Sequence, residues 1–558
     1  MSESKELVTV TVDGTAVQVP KGTNLIEVAR KAGVEIPHYC YHPNLSIAGN
    51  CRMCQVQVEG MPKLTIACNT GATDGMVVRT QKVSEDVAEA QRATLEFLLI
   101  NHPLDCTVCD QAGHCKLQDY YYEYNGRASR FVENKVNKIK AEPVGPEVIY
   151  DGERCIVCTR CVRFCEEVTE TSEFGVFNRG DKSVIGIHPG AELDNPFSGV
   201  FVDLCPVGAL THRRWRFNTR IWYTQEVNTV CTGCSTGCNA KVAVRDGKIV
   251  QVKARLNEDV NKEWMCDEGR YGFDRFQPKH RVVGPIVSGM DSDWTSAVNS
   301  SKALLGGEEP AAVLLSPFLT LEEVWVAMMF ARDVMGLDAA SGNIAMQLRR
   351  RDLSKLEQIL VSPDYAPNAR AAQLFGLCGN EESWREAVER HYESVLKQIS
   401  SGSAKRILLV GEGAVAEADC DAALVKGLRS ASVSLALCAS HPESDPVAAA
   451  CSVVLPGRTV HEKNGVMLNR DARLQRLRML LQGPIGTQPE WMLLANLASG
   501  LGKKILPAEV TDDRGLFRAM TGSLESLSGA TLVRIGDSGI ELEEAAGGKD
   551  GSSDPAAV

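Results

Sequence analysis

Cysteine placement constrains this 558-residue chain more than any other feature. Sixteen of its 20 cysteines fall between Cys40 and Cys266, and the other four, Cys378, Cys420, Cys438 and Cys451, are scattered singly. The clustered ones come in C-x2-C groups, the spacing of metal–thiolate loops rather than of a small disulfide framework. The start MSESKELVTV carries no apolar signal segment, so metal held in a reducing cytoplasm is the expectation. Apolar stretches such as Val324 to Phe330 fall far short of the roughly 18 residues a bilayer span needs, so membrane association is expected only through partner subunits. A net charge of −11 weighs against nucleic acid, whose phosphates repel an acidic surface. The one basic cluster, Arg213, Arg214, Arg216 and Arg220, reads as a solvated or subunit-docking face.

Four ligand sets follow from the spacings. Cys40, Cys51, Cys54 and Cys68, with Gly49 giving the loop room, suit a [2Fe–2S] centre whose first loop is longer than the plant-type one. A Rieske centre needs histidines in two of those places; His38 and His42 do not fit and read as packing or surface residues. In NHPLDCTVCDQAGHC, Cys106, Cys109 and Cys115 need a fourth ligand to complete a [4Fe–4S] cubane. His102, at a helix end before Pro103, is better placed for this than His114, which adjoins a ligand. Cys155, Cys158, Cys161 and Cys165 form C-x2-C-x2-C-x3-C, whose last cysteine goes to a second cluster in two-cluster ferredoxins. No further cysteine follows until Cys205, itself followed by Pro206, so the simplest third set is Cys155, Cys158, Cys161 and Cys205, with Cys165 left over. Cys231, Cys234, Cys238 and Cys266 form the fourth. Zinc remains an alternative for any single set, but four in series argue for iron and sulfide.

With these residues in view, the chain resembles the large peripheral-arm iron–sulfur family of respiratory complex I, NADH:quinone oxidoreductase, whose bacterial members are called the G subunit. The resemblance rests on GNCRMCQVQV, NHPLDCTVCDQAGHCKLQD, RCIVCTRCVRFCEE, LCPVGALT and the CTGCSTGC to MCDEGR segment. Further on, VVLPGRTVHEKNGVMLNRDARLQ is similar to a segment shared with molybdopterin oxidoreductases, including Glu462, Gly465, Asn469, Arg473 and Gln475. The resemblance implies electrons arriving from FMN on a neighbouring NADH-binding subunit. They would pass the [2Fe–2S] centre, the Cys155 cluster and the His102 cluster, and leave for quinone through another subunit. It also implies that the Cys231 cluster lies off this path, that no substrate turns over on this chain, and that the protein sits peripherally on the cytoplasmic face of the inner membrane.

The expected architecture is multidomain, α+β and α/β. It comprises a β-grasp [2Fe–2S] ferredoxin domain (1–83), a [4Fe–4S] module with one histidine and three cysteine ligands (84–125) and a ferredoxin-like [4Fe–4S] domain (145–225). A molybdopterin-oxidoreductase-type [4Fe–4S] domain (226–283), a truncated molybdopterin-oxidoreductase-like α/β domain (284–540) and a disordered tail (541–558) follow. Within the first, Val8, Val10 and Val12 alternate with threonines before an Asp13-Gly14 turn, and a helix runs to Gly33. Ser84 is expected to cap a helix whose Leu95, Leu98 and Leu99 face inward. Two features suggest more. The run Gly411 to Ala416 imitates a dinucleotide fingerprint, but no acidic residue ends the next strand, where the sequence reads ALCAS. Cys378 could be proposed as a molybdenum ligand, yet about 290 residues after Cys266 leave too little chain for a full pterin-binding body, so no molybdenum is expected. The rival readings are an electron-entry subunit of a soluble NAD-linked hydrogenase or formate dehydrogenase and, for the C-terminal region, a non-redox scaffold.

Overall fold

The alternating valines of Leu7–Val12 pair antiparallel with Thr15–Pro20 through the Asp13-Gly14 turn, which places Val8, Val10 and Val12 on one buried face. The computed structural model describes residues 6–273, 277–377 and 383–543; Cys378 and the tail beyond Glu543 lie outside the described residues. The chain divides into two units, 1–224 and 225–558.

In the first unit the hairpin joins a five-stranded mixed sheet, with Met76–Arg79 parallel to Leu7–Val12 and Gln55–Val58 antiparallel beyond it. The helix Leu25–Lys31 crosses this sheet, capped by the Asn24 side chain accepting from the Glu27 N–H, and its Leu25, Ile26 and Val28 complete the core. This is the β-grasp arrangement. The helix Glu85–Leu99 follows, and here two sequence expectations need correction. The Ser84 hydroxyl does not cap the helix but donates to Gln57 Oε1 at 2.9 Å. Of the three leucines only Leu95 is buried; Leu98 and Leu99 are half-buried, because the helix presents Val87, Gln91 and Leu95 inward. The rest of the unit is short elements around cysteine loops: helices Arg160–Glu167 and Ser198–Leu204, strands Val148–Tyr150 and Leu210–His212, and the hairpin Phe174–Phe177 with Val184–Ile187.

The second unit begins with the antiparallel strands Gln225–Val230, Asn239–Arg245 and Lys248–Ala254, the last two joined by Asp246-Gly247. Its body is a seven-stranded sheet whose centre is parallel, in the order Val453–Pro456, Val433–Cys438, Arg406–Val410, Ala311–Leu315 and Ile344–Met346. Both faces are covered, as parallel sheets require. Val313, Leu315, Leu408 and Val410 point into one core, and Ala312, Leu314, Ile407 and Leu409 into the other. The turn after Arg406–Val410 does not lead directly into a helix. Glu412 folds its carboxylate back onto the N–H groups of Ala439 and Ser440, and a Cβ on Gly411 would come within 2.9 Å of Ser316 and Leu319 side-chain atoms. Among the described residues no helix is long and apolar enough to cross a membrane.

Candidate metal centres

A thiol buried among apolar groups resists ionisation, whereas a thiol bound to iron is a thiolate; a site built for a cluster therefore gathers thiols where only bound metal makes the charge favourable. The four sets gather their thiols in this way to different degrees.

In the first, Cys40 and Cys51 lie within hydrogen-bond reach, and the Cys40 N–H meets Cys51 Sγ at 3.5 Å. Donation from Cys51 pulls the Cys40 thiol down to about 5, while Cys51 is pushed up; Cys68 and Cys54 form a second such pair. The four sulfurs thus face one another, from the loop before Tyr41, the loop before Gln55–Val58, and the turn Ala67–Asn69. Gly49 adopts φ +62 and Arg52 φ +57, the left-handed turns that fold the loop inward. Neither nearby histidine joins the set. The His38 ring bonds the Ile36 carbonyl at 2.8 Å and burial holds it down at about 4, and the His42 ring accepts from the Asn44 N–H.

In the second set Cys109 and Cys115 are buried and Cys106 exposed. Burial raises both Cys109 and Cys115, and each feels the charge of Cys106. A Cβ on Gly208 would lie 2.1 Å from Cys109 Sγ, so only glycine lets the chain pass that sulfur. His102 has a buried Nδ1 with no hydrogen-bond partner among the described residues, and burial, with Lys135 and Arg154 adding, lowers it to about 4. It is therefore neutral at neutral pH, the form that can ligate metal. Arg154 acts on both His102 and Cys109. His114 is half-buried, with its backbone tied to Gln111 on both sides.

In the third set Cys155, Cys158, Cys161 and Cys205 line one small gap closed by Ile156 and Val207. Burial raises every one of them. The loop is bent by two β-branched residues in the left-handed region, Val157 at φ +52 and Thr159 at φ +62, and the Val157 N–H meets Cys155 Sγ at 3.4 Å. Cys165 does not line the gap. It is fully buried one turn along Arg160–Glu167 and turns its thiol to the Val162 carbonyl at 3.1 Å and the Phe174 carbonyl at 3.7 Å. A larger cavity of about 600 Å³ shares Tyr150 and Ile185 with this gap but is lined by no cysteine.

In the fourth set Cys231, Cys234, Cys238 and Cys266 line another such gap. The Gly233 and Gly269 N–H groups meet Cys231 Sγ and Cys266 Sγ at 3.3 Å each, and a Cβ on Gly269 would approach Cys231 Sγ to 2.9 Å. Two residues that stood out in the sequence only through a shared segment, Asn469 and Gln475, brace this loop. Gln475 donates to the Gly237 carbonyl at 2.9 Å and Asn469 to the Thr236 carbonyl at 3.2 Å, from a strand and the turn before it more than 230 residues away. Among the described residues no three His, Cys, Asp or Glu side chains gather closely enough to share one metal ion. A cubane places each ligand on its own iron, so its ligands stand apart around a gap, as the third and fourth sets do. The donor chemistry of all four sets fits iron–sulfur clusters.

The basic cluster is divided: Arg213 and Arg214 are exposed, as a solvated face requires, while Arg220 is tied into a ligand loop. Arg220 donates to the Cys109 carbonyl at 2.6 Å and to the Thr107 carbonyl, and Arg214 pairs with Glu147 at 2.7 Å.

Sequence comparisons match successive stretches of the chain. Residues 5–83 match the 2Fe-2S iron–sulfur cluster binding domain, 91–130 the NADH-ubiquinone oxidoreductase-G iron–sulfur binding region, and 145–211 the ferredoxin-like domain of NADH-quinone oxidoreductase subunit 3. Residues 224–277 match the molybdopterin oxidoreductase Fe4S4 domain and 326–500 the molybdopterin oxidoreductase family. The G subunit of the NADH-quinone oxidoreductase of Streptomyces coelicolor is 39% identical over 334 residues, which is 59% of this chain and 40% of that protein. The mitochondrial NADH-ubiquinone oxidoreductase 78 kDa subunit of Candida albicans is 41% identical over 309 residues, 54% of this chain and 42% of that protein. The chain thus spans about two fifths of the length of these curated relatives. A solved NAD+-reducing [NiFe]-hydrogenase is 29% identical over 38% of this chain and 91% of that one, with a TM-score of 0.34 that carries no argument about fold. Over its [2Fe–2S] and [4Fe–4S] binding domains, the chain is therefore similar to the G subunits of NADH-quinone oxidoreductase.

Proposed function

We propose that this chain is a one-electron relay in the peripheral arm of an NADH:quinone oxidoreductase, seated among partner subunits that include the one bearing FMN and binding NADH. We assign its ligands as Cys40, Cys51, Cys54 and Cys68 for one [2Fe–2S] cluster. Three [4Fe–4S] clusters fall to His102 with Cys106, Cys109 and Cys115, to Cys155, Cys158, Cys161 and Cys205, and to Cys231, Cys234, Cys238 and Cys266. The observation that carries this reading is the grouping of the third and fourth sets, each around its own gap, with Cys165 turned away to backbone carbonyls. Once bound, the clusters supply reversible one-electron oxidation and reduction.

The chain's own part is to bury and orient. Backbone N–H groups at Val157, Gly233 and Gly269 point at ligand sulfurs, which favours the more negative, reduced state. His102 enters as a neutral imidazole, making its cluster less negative than a four-thiolate one. A two-cluster ferredoxin, as the hydrogenase-type reading requires, would need the Cys165 thiol to face a second cysteine group, and it faces Val162 and Phe174 instead. The α/β unit is assigned no molybdenum and no turnover site. Metal analysis with EPR on the reduced protein tests the whole: about fourteen irons per chain, one [2Fe–2S] and three [4Fe–4S] signals, and no molybdenum are expected. Stoichiometric molybdenum or a fifth cluster would overturn it.

A further inference from the structure

The eight-residue helix Arg160–Glu167 carries two arginines whose side chains leave it for the same destination. Arg163 is 7% exposed; it donates to the Cys40 carbonyl at 2.6 Å, to the Ser46 carbonyl, and to the Cys158 carbonyl at 3.4 Å. Arg160 donates to the Tyr41 carbonyl and to the Leu204 carbonyl at 3.3 Å. Each guanidinium therefore holds one carbonyl at or beside Cys40, from the first set, and one at or beside a cysteine of the third set, Cys158 or Cys205. Glu167 at the far end of the helix completes the seam by accepting the Ser46 N–H at 2.8 Å, and Asn50 donates to the Val157 carbonyl at 3.2 Å.

Charge follows the same geometry. Among the described residues Arg163 meets only backbone carbonyls and the Thr159 hydroxyl, so no carboxylate neutralises it. The guanidinium lies on the backbone carbonyls of Cys40 and Cys158 themselves, so one cation sits beside a cysteine of each set. A planar guanidinium suits this role because its fork of donors reaches separate carbonyls at once, which a lysine ammonium on a flexible stem does not do in fixed geometry.

We propose that Arg160 and Arg163 are positioning residues that lock the [2Fe–2S] loop to the Cys155 cluster loop and raise the reduction potential of both centres together. The proposal rests on the cluster assignment above. Adding an electron to either centre adds negative charge beside an un-neutralised cation, so the reduced state is stabilised at both. Removing the cation should lower both potentials, whereas a residue that merely filled space would move neither in concert.

The test is an EPR-monitored redox titration of the full chain within its complex, comparing the unsubstituted protein with Arg163→Gln, Arg163→Lys and Arg160→Gln. Arg163→Gln is expected to shift the [2Fe–2S] and Cys155-cluster midpoints downward together and leave the Cys231 cluster unmoved. Arg163→Lys, which keeps the charge, should leave both midpoints close to those of the unsubstituted protein, and Arg160→Gln should produce a smaller downward shift of the same two signals. If Arg163→Gln costs iron, joint loss of these two clusters with the Cys231 cluster retained supports the clamp. A shift or loss confined to one centre, unmoved potentials, or loss of every cluster in all three variants overturns it. Absence of a [2Fe–2S] signal from the unsubstituted protein would instead sink the cluster assignment, so the two failures are distinguishable.

Discussion

Substituting Lys463 with methionine is expected to unfold the α/β unit far more readily than any surface change would. Lys463 is buried, its side chain 4% exposed, with Nζ 2.9 Å from Glu323 and 2.8 Å from Glu490, both fully enclosed. Glu323 also closes a capping box with Thr320 at the start of the helix Leu321–Phe330 and accepts the Glu490 N–H at 3.2 Å. The loss would thus strand two carboxyls and loosen a helix terminus. Breaking a buried ion pair from one side costs about 3–5 kcal/mol. At about 2–4 °C per kcal/mol for a domain of this size, the melting temperature of the unit should fall by roughly 6–20 °C.

The triad also sets a pH dependence. Burial pushes the Glu490 carboxyl up to about 8, Lys463 opposing and Glu323 adding, and burial takes Glu322 to about 8 as well. A carboxyl whose folded value exceeds its unfolded one, ordinarily near 4.5, stabilises the fold while protonated and withdraws that contribution as pH rises through the folded value. Stability of the unit should therefore decline between about pH 4.5 and pH 8, and the decline should continue to higher pH in Lys463→Met, where no cation offsets ionisation. Calorimetry on the full chain at several pH values measures both effects. An unchanged melting temperature in Lys463→Met, or no recovery on adding Glu490→Gln to it, would refute the account of a buried, charge-paired triad.

The cysteine sites carry two further expected outcomes. His102→Cys should keep its cluster but lower the midpoint potential, since a thiolate replaces a neutral imidazole; loss of that cluster on changing His114 instead would reverse the ligand assignment. Gly269→Ala puts a methyl within 2.9 Å of Cys231 Sγ and 3.3 Å of Cys266 Sγ, and should cost the Cys231 cluster, about four irons by metal analysis, while the other EPR signals persist.

The gathering of the third and fourth cysteine groups, each around one gap, was legible because C-x2-C spacing is local and has few other uses at this density. The hairpin at Leu7–Val12 and the turn at Asp246-Gly247 were legible for a similar reason: the alternation is local, and so is the structure it specifies. What escaped was set by long-range side-chain contacts, which have no period. Nothing near Gln475 announces that its amide holds Gly237, 238 residues earlier. Within the basic cluster Arg213 and Arg214 are exposed as expected, but composition cannot tell them from Arg220, which spends its donors on the carbonyls of a ligand loop. Ser84 misled for the opposite reason: a strong local preference for capping yielded to a tertiary partner, Gln57.

The fourth set differs from the third in whether the arginine beside it is neutralised. Arg351 lines the gap of Cys231, Cys234, Cys238 and Cys266, but its guanidinium is paired with Glu268 at 2.9 Å and Glu357 at 3.2 Å. Two carboxylates offset Arg351, and Arg470, the other cation acting on this set, lies 3.5 Å from Asp471, so neither cation stands unpaired as Arg163 does beside the first and third sets. Coulomb interactions at such range are substantial wherever water is excluded, and the four thiols here are all buried. The Cys231 cluster should accordingly have a lower midpoint potential than the Cys155 cluster, the two sharing an all-thiolate ligand set and differing in the charge beside it. Charge-neutral substitution of both glutamates, Glu268→Gln with Glu357→Gln, should raise the Cys231 midpoint and leave the Cys155 one in place. A redox titration that finds the Cys231 cluster at or above the Cys155 cluster, or that finds its midpoint unmoved in the double variant, would show that backbone hydrogen bonds from Gly233 and Gly269, not the guanidinium charge, set the order.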